Sequence, residues 1–580
     1  MKAFLRNFFA TIFGVLAALA LLAVAGAALL LHEPRLDLER GTILTVDLSM
    51  AVTDRGSSPS PQEVILEGTA DSLELRRVRQ ALFAAAEDNH IAAVFLRGDA
   101  AAGTATYEAL REGLAACADA GKATVAFLDQ PGEGELYLAS ICDEVYVPPL
   151  ALIEFNGLAL SMMFYRDLLD LIGVEIQVTR VGKYKSAVEP FLLNEMSEAN
   201  REQLAKLAGD LSDVLFGGIA AGRGLELEAV RSLAAASGFL SPEQAIEAGL
   251  IDGVLAFDEV LARLAELTDG DSGDLVQVTL EQYFAVADRE AAQAADDPYE
   301  PSGAVAVVYA EGDILDGEDH DQVGGDTVAR QLRQARIDPD VDAVVLRVNS
   351  PGGSAFASET ILREVRLLKE AKPLVVSMGD VAASGGYWIS CLADEIWARP
   401  GTITGSIGVF GMFPNAAELL DELGVSPQTV KTGEHADMNS LWRPKTESEL
   451  ALLQAEVDFI YEAFLDRVVE GRGLQREAVH ELAQGRVWSG TAALELGLVD
   501  QLGGLEDAIQ AAAGRASLGA DFEVQWPESP GSLIDRILDQ FEPGDAPLSR
   551  LSPYLEAARK AQRLATTTGV QARMPWLVVG

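Results

Sequence analysis

Short apolar runs bounded by turn residues alternate with stretches of helical spacing along most of this chain. Ala92-Ala93-Val94-Phe95-Leu96 and Ala343-Val344-Val345-Leu346 are continuous apolar runs, the pattern of strands buried on both faces of a parallel sheet. Each precedes a helix-like stretch and then a second buried run, Ala123 to Leu128 in one case and Leu374 to Met378 in the other. This strand–helix–strand order predicts an α/β fold of mostly parallel sheet. The N-terminus is patterned differently. Asn7 to His32 carries no formal charge, and its core, Phe8 to Leu31, is 24 residues long. About 20 helical residues cross a hydrocarbon layer, so residues 1–32 are predicted to form one transmembrane helix. Ala23-Val24-Ala25 offers the alternative of a cleaved secretory signal. Apolar residues continue past it to Leu31, beyond the roughly 7–15 of a cleaved signal. Lys2 and Arg6 precede the span, while Arg35 and Arg40 after it are offset by Glu33, Asp37 and Glu39. A cytoplasmic N-terminus and an exported remainder are expected.

The pattern repeats. A single offset of 251 positions places Asp129 on Asp380, Gly134 on Gly385, Asp143-Glu144 on Asp394-Glu395, Gly157 on Gly408 and Gly182 on Gly433. Farther on, Ala248 to Asp252 matches Leu496 to Asp500 at a slightly shifted offset. This is duplication of one domain-sized unit rather than a solenoid of short repeats. The predicted organisation is an anchor (1–32), a first α/β repeat (45–265), a linker or crossover (266–303), a second α/β repeat (304–515) and a C-terminal extension (516–580). In the extension, Leu533, Ile534, Ile537, Leu538 and Phe541 have the spacing of a helical apolar face.

Composition narrows the chemistry. The 580 residues exceed what one core accommodates. Lys and Arg number 44 against 89 Asp and Glu, a formal charge of −45. Such a surface repels phosphate backbones, so nucleic acid is not an expected partner. Cys117, Cys142 and Cys391 form no CxxC pair, and no disulfide is expected among them. His32, His90, His320, His435 and His480 are scattered without paired-ligand spacing. Neither a metal nor a cofactor is expected.

The candidate chemistry lies where the two halves differ. Asn349-Ser350-Pro351-Gly352-Gly353-Ser354 follows a buried strand and precedes a helical stretch. It is either an ordinary strand–helix turn or a site where main-chain N–H groups meet a developing anion. Ser384, in Ala382-Ala383-Ser384-Gly385-Gly386, sits among small residues at the next strand–helix junction. It reads as a helix N-cap or as a nucleophile with Gly385 donating to an oxyanion. Its counterpart in the first half is Glu133, which cannot act as a serine nucleophile. Lys185, in Val181 to Phe191, aligns with Ala436. Most lysines are solvated surface charges, yet one half keeps a serine and lacks the lysine, and the other the reverse. A composite Ser–Lys site leaves that pattern, and so does drift.

On these motifs, together with Val348 to Ser354, Ala382 to Ser390 and Thr404 to Val409, the chain resembles the signal peptide peptidase A family. The likeness is to its long, tandem-repeat, membrane-anchored type, serine proteases of the superfamily that includes crotonase and the Clp protease. The likeness runs from the anchor to about residue 515. It implies two crotonase- or Clp-like units, Ser384 as nucleophile, Lys185 as general base and Ser406 as the hydroxyl that orients the lysine. It also implies an oxyanion hole at Gly352, Gly353 and Gly385. Ser406 aligns with Phe155, so this hydroxyl too belongs to one half. The implied substrates are signal peptides left in the membrane. The implied assembly is a homotetramer on the periplasmic side of the bacterial inner membrane. A lysine base must be neutral, which requires burial away from carboxylates. Glu189 is near in sequence and is expected to face away. Competing readings are a histidine base, with His435 the candidate, a crotonase-type acyl-CoA enzyme, and an inactive membrane scaffold.

Overall fold

The computed structural model describes residues 38–56, 72–98, 102–268, 275–286, 301–527, 569–573 and 578–579. The predicted membrane helix and the apolar face near Leu533 lie outside the described residues. Among the described residues no helix is long and apolar enough to cross a membrane.

Each half is built on a sheet in which six parallel strands follow the same order, and the second sheet adds Ile403–Gly405 and Val487–Ser489, an antiparallel pair branching from Leu374–Ala383. In the first the order is Gly253–Val254, Glu144–Val147, Ala123–Phe127, Ile91–Arg97, Thr42–Asp47 and Gln277–Thr279. In the second it is Gln501–Leu502, Glu395–Ala398, Leu374–Ala383, Ala343–Ser350, Ala304–Glu311 and Glu523–Gln525. The apolar runs read from the sequence are the central strands, buried along almost their whole length. The helices repeat as well. Leu75–Glu87 buries Val78, Leu82 and Ala85, and Gly325–Ile337 buries Val328, Leu332 and Ala335, the same i, i+4, i+7 stripe. The long helices Glu198–Arg223 and Glu447–Arg472 start on hydroxyl caps, Ser197 and Thr446. Each ends on a left-handed glycine, Gly224 or Gly473.

The segment read as a linker does more than connect, because Gln277–Thr279 extends the first sheet beside Thr42–Asp47. Likewise Glu523–Gln525, read as extension, pairs with the second sheet. The two halves are clasped by buried polar contacts. Asp380 accepts hydrogen bonds from Thr106 N at 2.9 Å and Thr106 Oγ1 at 2.6 Å, so a second-half carboxylate caps a first-half helix. Buried Arg347 pairs with buried Asp54 at 2.9 Å. A third, mixed sheet interlocks the halves further. Its order is Val323–Gly324, Ile314–Leu315, Gly352–Ser354, Gly569–Arg573, Val409–Asn415 and Glu175–Val181. The last two strands pair antiparallel over seven residues, from Val409↔Val181 to Asn415↔Glu175, across the duplication.

Candidate active site

Ser384 stands between strand Leu374–Ala383 and helix Gly385–Ser390. Its backbone has φ 56° and ψ −111°, a conformation that L-residues rarely adopt and that costs about 1–3 kcal/mol. The fold holds it there: Ser384 N donates to Gly405 O at 2.8 Å, and Trp388 N donates to Ser384 O at 2.8 Å. Ser384 occupies the N-cap position of that helix, but its hydroxyl makes no capping bond. Crowding explains the glycines beside it. A Cβ on Gly386 would lie 2.7 Å from Ser350 O, and one on Gly385 would lie 2.8 Å from Ser358 Oγ and 3.1 Å from Gly352 Cα.

Lys185 reaches Ser384 from the other half. The strand Glu175–Val181 is zipped to Val409–Asn415. Gly182, at φ 105°, then turns the chain inward, where a side chain would collide with the Gln484 backbone. Tyr184 N donates to Gln484 O at 2.9 Å. Lys185 Nζ lies 2.7 Å from Ser384 Oγ, 3.0 Å from Ser406 O and 3.1 Å from Ser406 Oγ. The side chain is fully buried, and burial holds its pKa well below the usual 10.5. Glu189 is turned to other partners, accepting from Ser197 Oγ at 2.6 Å and Asn200 Nδ2 at 3.1 Å. Ser406, at φ 50°, follows strand Ile403–Gly405, which runs parallel to Val381–Ala383 and so carries Ser406 beside Ser384.

Gly352–Ser354 forms a short strand rather than an open turn. Gly352 N donates to Ser350 Oγ at 3.2 Å, and Gly352 Cα borders Gly385. His435 lies 3.7 Å from Glu449 in an ion cluster with Arg443 and Asp437, and the Ser384 hydroxyl pairs with Lys185 instead. The three cysteines are buried and free.

Sequence reading missed two supports of the lysine. Gln203, fully buried in helix Glu198–Arg223, donates to Tyr184 O at 3.0 Å and Ser186 Oγ at 3.1 Å, bracketing Lys185. Gly485, at φ 79°, lies against the lysine so closely that a Cβ would sit 2.6 Å from Lys185 Cα. The only sequence signal was a lone Gln-Gly dipeptide, which marks a turn and nothing more. In the first half, Glu133 begins the helix that corresponds to Gly385–Ser390. It accepts from Asn156 N and Gly157 N, both at 2.7 Å. Ala436 lies exposed in a turn of the second half.

A hydroxyl hydrogen-bonded to a buried amine and flanked by glycine main chain is the arrangement of a serine hydrolase with a lysine partner. The family model "Peptidase family S49" matches the chain twice, over residues 116–270 and 366–519. "Protease 4" of Haemophilus influenzae is 37% identical over 445 residues, 73% of this chain and 71% of that one. "Serine protease SPPA, chloroplastic" of Arabidopsis thaliana is 30% identical over 546 residues, 92% of this chain and 78% of that one. "Putative signal peptide peptidase SppA" of Enterococcus faecium is 42% identical over 180 residues, 31% of this chain and 52% of that one. This chain belongs to peptidase family S49, with two family units in tandem, and it is a serine protease. The acyl-CoA and inactive-scaffold readings are set aside with that assignment.

Proposed function

We propose that this protein is a membrane-anchored endopeptidase that degrades signal peptides released into the cytoplasmic membrane. In this reading it acts on the exported side as a homotetramer, with Ser384 as nucleophile and Lys185 as general base. The observation that carries the reading is the fully buried Lys185 Nζ, 2.7 Å from Ser384 Oγ. A protonated ammonium there would sit unpaired in a dry site. The neutral amine instead gives one N–H to Ser406 O and a second to Ser406 Oγ, leaving its lone pair for the serine proton.

Attack then runs in order. Lys185 takes the Ser384 proton as Oγ bonds to the scissile carbonyl carbon, and the ammonium later returns it to the leaving amine. Water repeats the cycle to release the acyl group. Ser406 fixes the amine at the distance it needs. Main-chain donors around Gly352, Gly353 and Gly385 receive the oxyanion. Gly352 N–H is engaged by Ser350 Oγ, so Gly353 and Gly385 are the donors we assign first. The anchor and the topology rest on the uncharged run and its flanking cations. The choice of signal peptides rests on the resemblance and on the name of the Enterococcus relative.

The test is hydrolysis of a fluorogenic signal-peptide substrate by the full chain in detergent, beside Ser384→Ala, Lys185→Ala and Lys185→Arg. All three should lose on the order of 10³-fold or more in kcat, because arginine keeps its proton. Parental activity in Lys185→Ala with none in Ser384→Ala would refute the base, and His435 would be the next residue to replace.

A further inference from the structure

Arg486 precedes the strand Val487–Ser489, which pairs antiparallel with Ile403–Gly405. Its carbonyl accepts from Ser406 N at 2.7 Å. Its guanidinium carbon lies 4.9 Å from the centroid of the Tyr184 ring and 4.4 Å from that of the Trp488 ring. Nη1 lies 3.2 Å from Glu202 Oε1 and donates to Tyr184 Oη at 3.3 Å. Tyr184 Oη in turn donates to Glu202 at 3.1 Å. Arg486 Nε is buried with no hydrogen-bond partner among the described residues. Two ring faces and one half-exposed carboxylate therefore hold this cation, rather than a full set of hydrogen bonds.

Each ring adjoins a member of the reacting group. Tyr184 immediately precedes Lys185. Trp488 packs on Gly405, the residue before Ser406, so closely that a Cβ there would lie 2.8 Å from Trp488 Cδ1. Tyr184 and Glu202 belong to the first half, Arg486 and Trp488 to the second. One guanidinium thus ties the neighbour of the lysine to the neighbour of the hydroxyl that orients it.

The duplication separates scaffold from addition. The offset of 248 that sets Leu496 on Ala248 also sets Arg486 on Gly238 and Trp488 on Leu240. The strand pairings agree, because Leu240 faces Ile153 as Trp488 faces Thr404. The backbone contact is shared too: Phe155 N donates to Gly238 O at 3.2 Å, as Ser406 N donates to Arg486 O. The main chain here is common to both halves, whereas the guanidinium and the indole occur only beside Ser384. Tyr184 has His435 as its counterpart, which lies beside Glu449 instead. Side chains that the fold itself required would stand in both halves. These stand where an amine must be held.

We propose that Arg486 is a positioning residue for the reaction, holding the Tyr184–Lys185 turn against Ser406 by stacking on Tyr184 and Trp488. This rests on the reading of Lys185 as the general base. The other charges facing the stack are Glu202 and Lys183, whose Nζ lies 4.6 Å from the Tyr184 ring. Glu189, on the next turn, is engaged by Ser197 and Asn200. With the stack gone, the turn can shift, water reaches the amine, and its protonated form is favoured.

Two measurements test the proposal, both on the full chain in detergent. In the first, peptide hydrolysis is followed against pH. Arg486→Met should lower kcat by about 10- to 100-fold with KM within about twofold, and move the rising limb of kcat/KM up by about one pH unit. Arg486→Lys keeps the charge without the planar fork and should move both quantities the same way. Tyr184→Leu should follow Arg486→Met, and Tyr184→Phe, which keeps the ring, should cost several-fold less. Parental kcat and pH limb in Arg486→Met would overturn the proposal. So would parental behaviour in Arg486→Lys, which would make charge alone the cause, or a loss of activity matched by a loss of folded protein with the limb unmoved. In the second, urea midpoints of the Lys185 and Lys185→Met chains are compared from pH 7 to 10, with and without Arg486→Met. The pH at which the lysine chain begins to gain on the methionine chain should rise by about one unit when Arg486 is replaced. An unmoved onset overturns the proposal. If the parental chain shows no Ser384-dependent hydrolysis, the catalytic reading fails, and the urea comparison still decides whether Arg486 keeps the amine dry.

Discussion

Lys185→Met tests whether the site keeps its amine neutral. Methionine matches the lysine stem in length and carries no proton. In the unfolded chain Lys185 titrates near 10.5, and burial in the folded chain holds it well below that value. Between those two pKa values the unfolded state binds one proton more than the folded state. Folding stability of the parental protein therefore rises with pH across that window, by about 1.4 kcal/mol per pH unit. Below the folded pKa both states are protonated and the dependence vanishes. The methionine variant lacks this titration, while every other group titrates alike in the two proteins. It also loses the contacts to Ser384 Oγ, Ser406 O and Ser406 Oγ, an offset independent of pH. The difference between the proteins should thus move in favour of the parent by about 1.4 kcal/mol for each pH unit inside the window. The assay is urea unfolding of both proteins in the same detergent at pH 7, 8, 9 and 10, followed by tryptophan fluorescence. kcat/KM of the parent should rise with pH through the same folded pKa. Parallel stability profiles from pH 7 to 10 would mean that Lys185 titrates as a solvated amine, and the mechanism above would be wrong.

Two further outcomes follow from the packing. Gly485→Ala places a methyl 2.6 Å from Lys185 backbone atoms at a residue with φ 79°. Steady-state kinetics should show kcat down by about 10²-fold or more with KM little moved, because the base is displaced while the surrounding strands are intact. Glu133→Ala removes the buried carboxylate that accepts from the N–H groups of Asn156 and Gly157. It should destabilise the protein by about 1–3 kcal/mol in chemical denaturation. Glu133→Gln, which retains a carbonyl oxygen, should recover most of that, with hydrolysis per folded molecule unchanged in both.

Glu133 also illustrates how duplication is read. The sequence alignment placed it opposite Ser384, and it begins the corresponding helix after the corresponding strand of a sheet that shares the order of its six parallel strands. Nothing in the alignment indicated that its carboxylate satisfies the N–H groups of Asn156 and Gly157. Gln203 was invisible for a similar reason. One glutamine in a long amphipathic helix has no signature until the helix is packed against the Tyr184 loop.

Local order along the chain was sufficient to determine the alternating strands and helices, their duplication, and the serine and lysine that each survive in one half. Those features depend on periodicity and spacing within tens of residues, which the chain carries in itself. Only the tertiary structure decided that Ser384 and Lys185, 199 residues apart, meet at 2.7 Å. It likewise decided that the strand leading to Lys185 is zipped into the other unit, and that Gly569–Arg573 pairs between Gly352–Ser354 and Val409–Asn415. The lysine's chemistry is of the same kind. Its pKa is set by how completely packing excludes water and carboxylates around it, and solvation is a property of the folded surroundings that no residue carries alone.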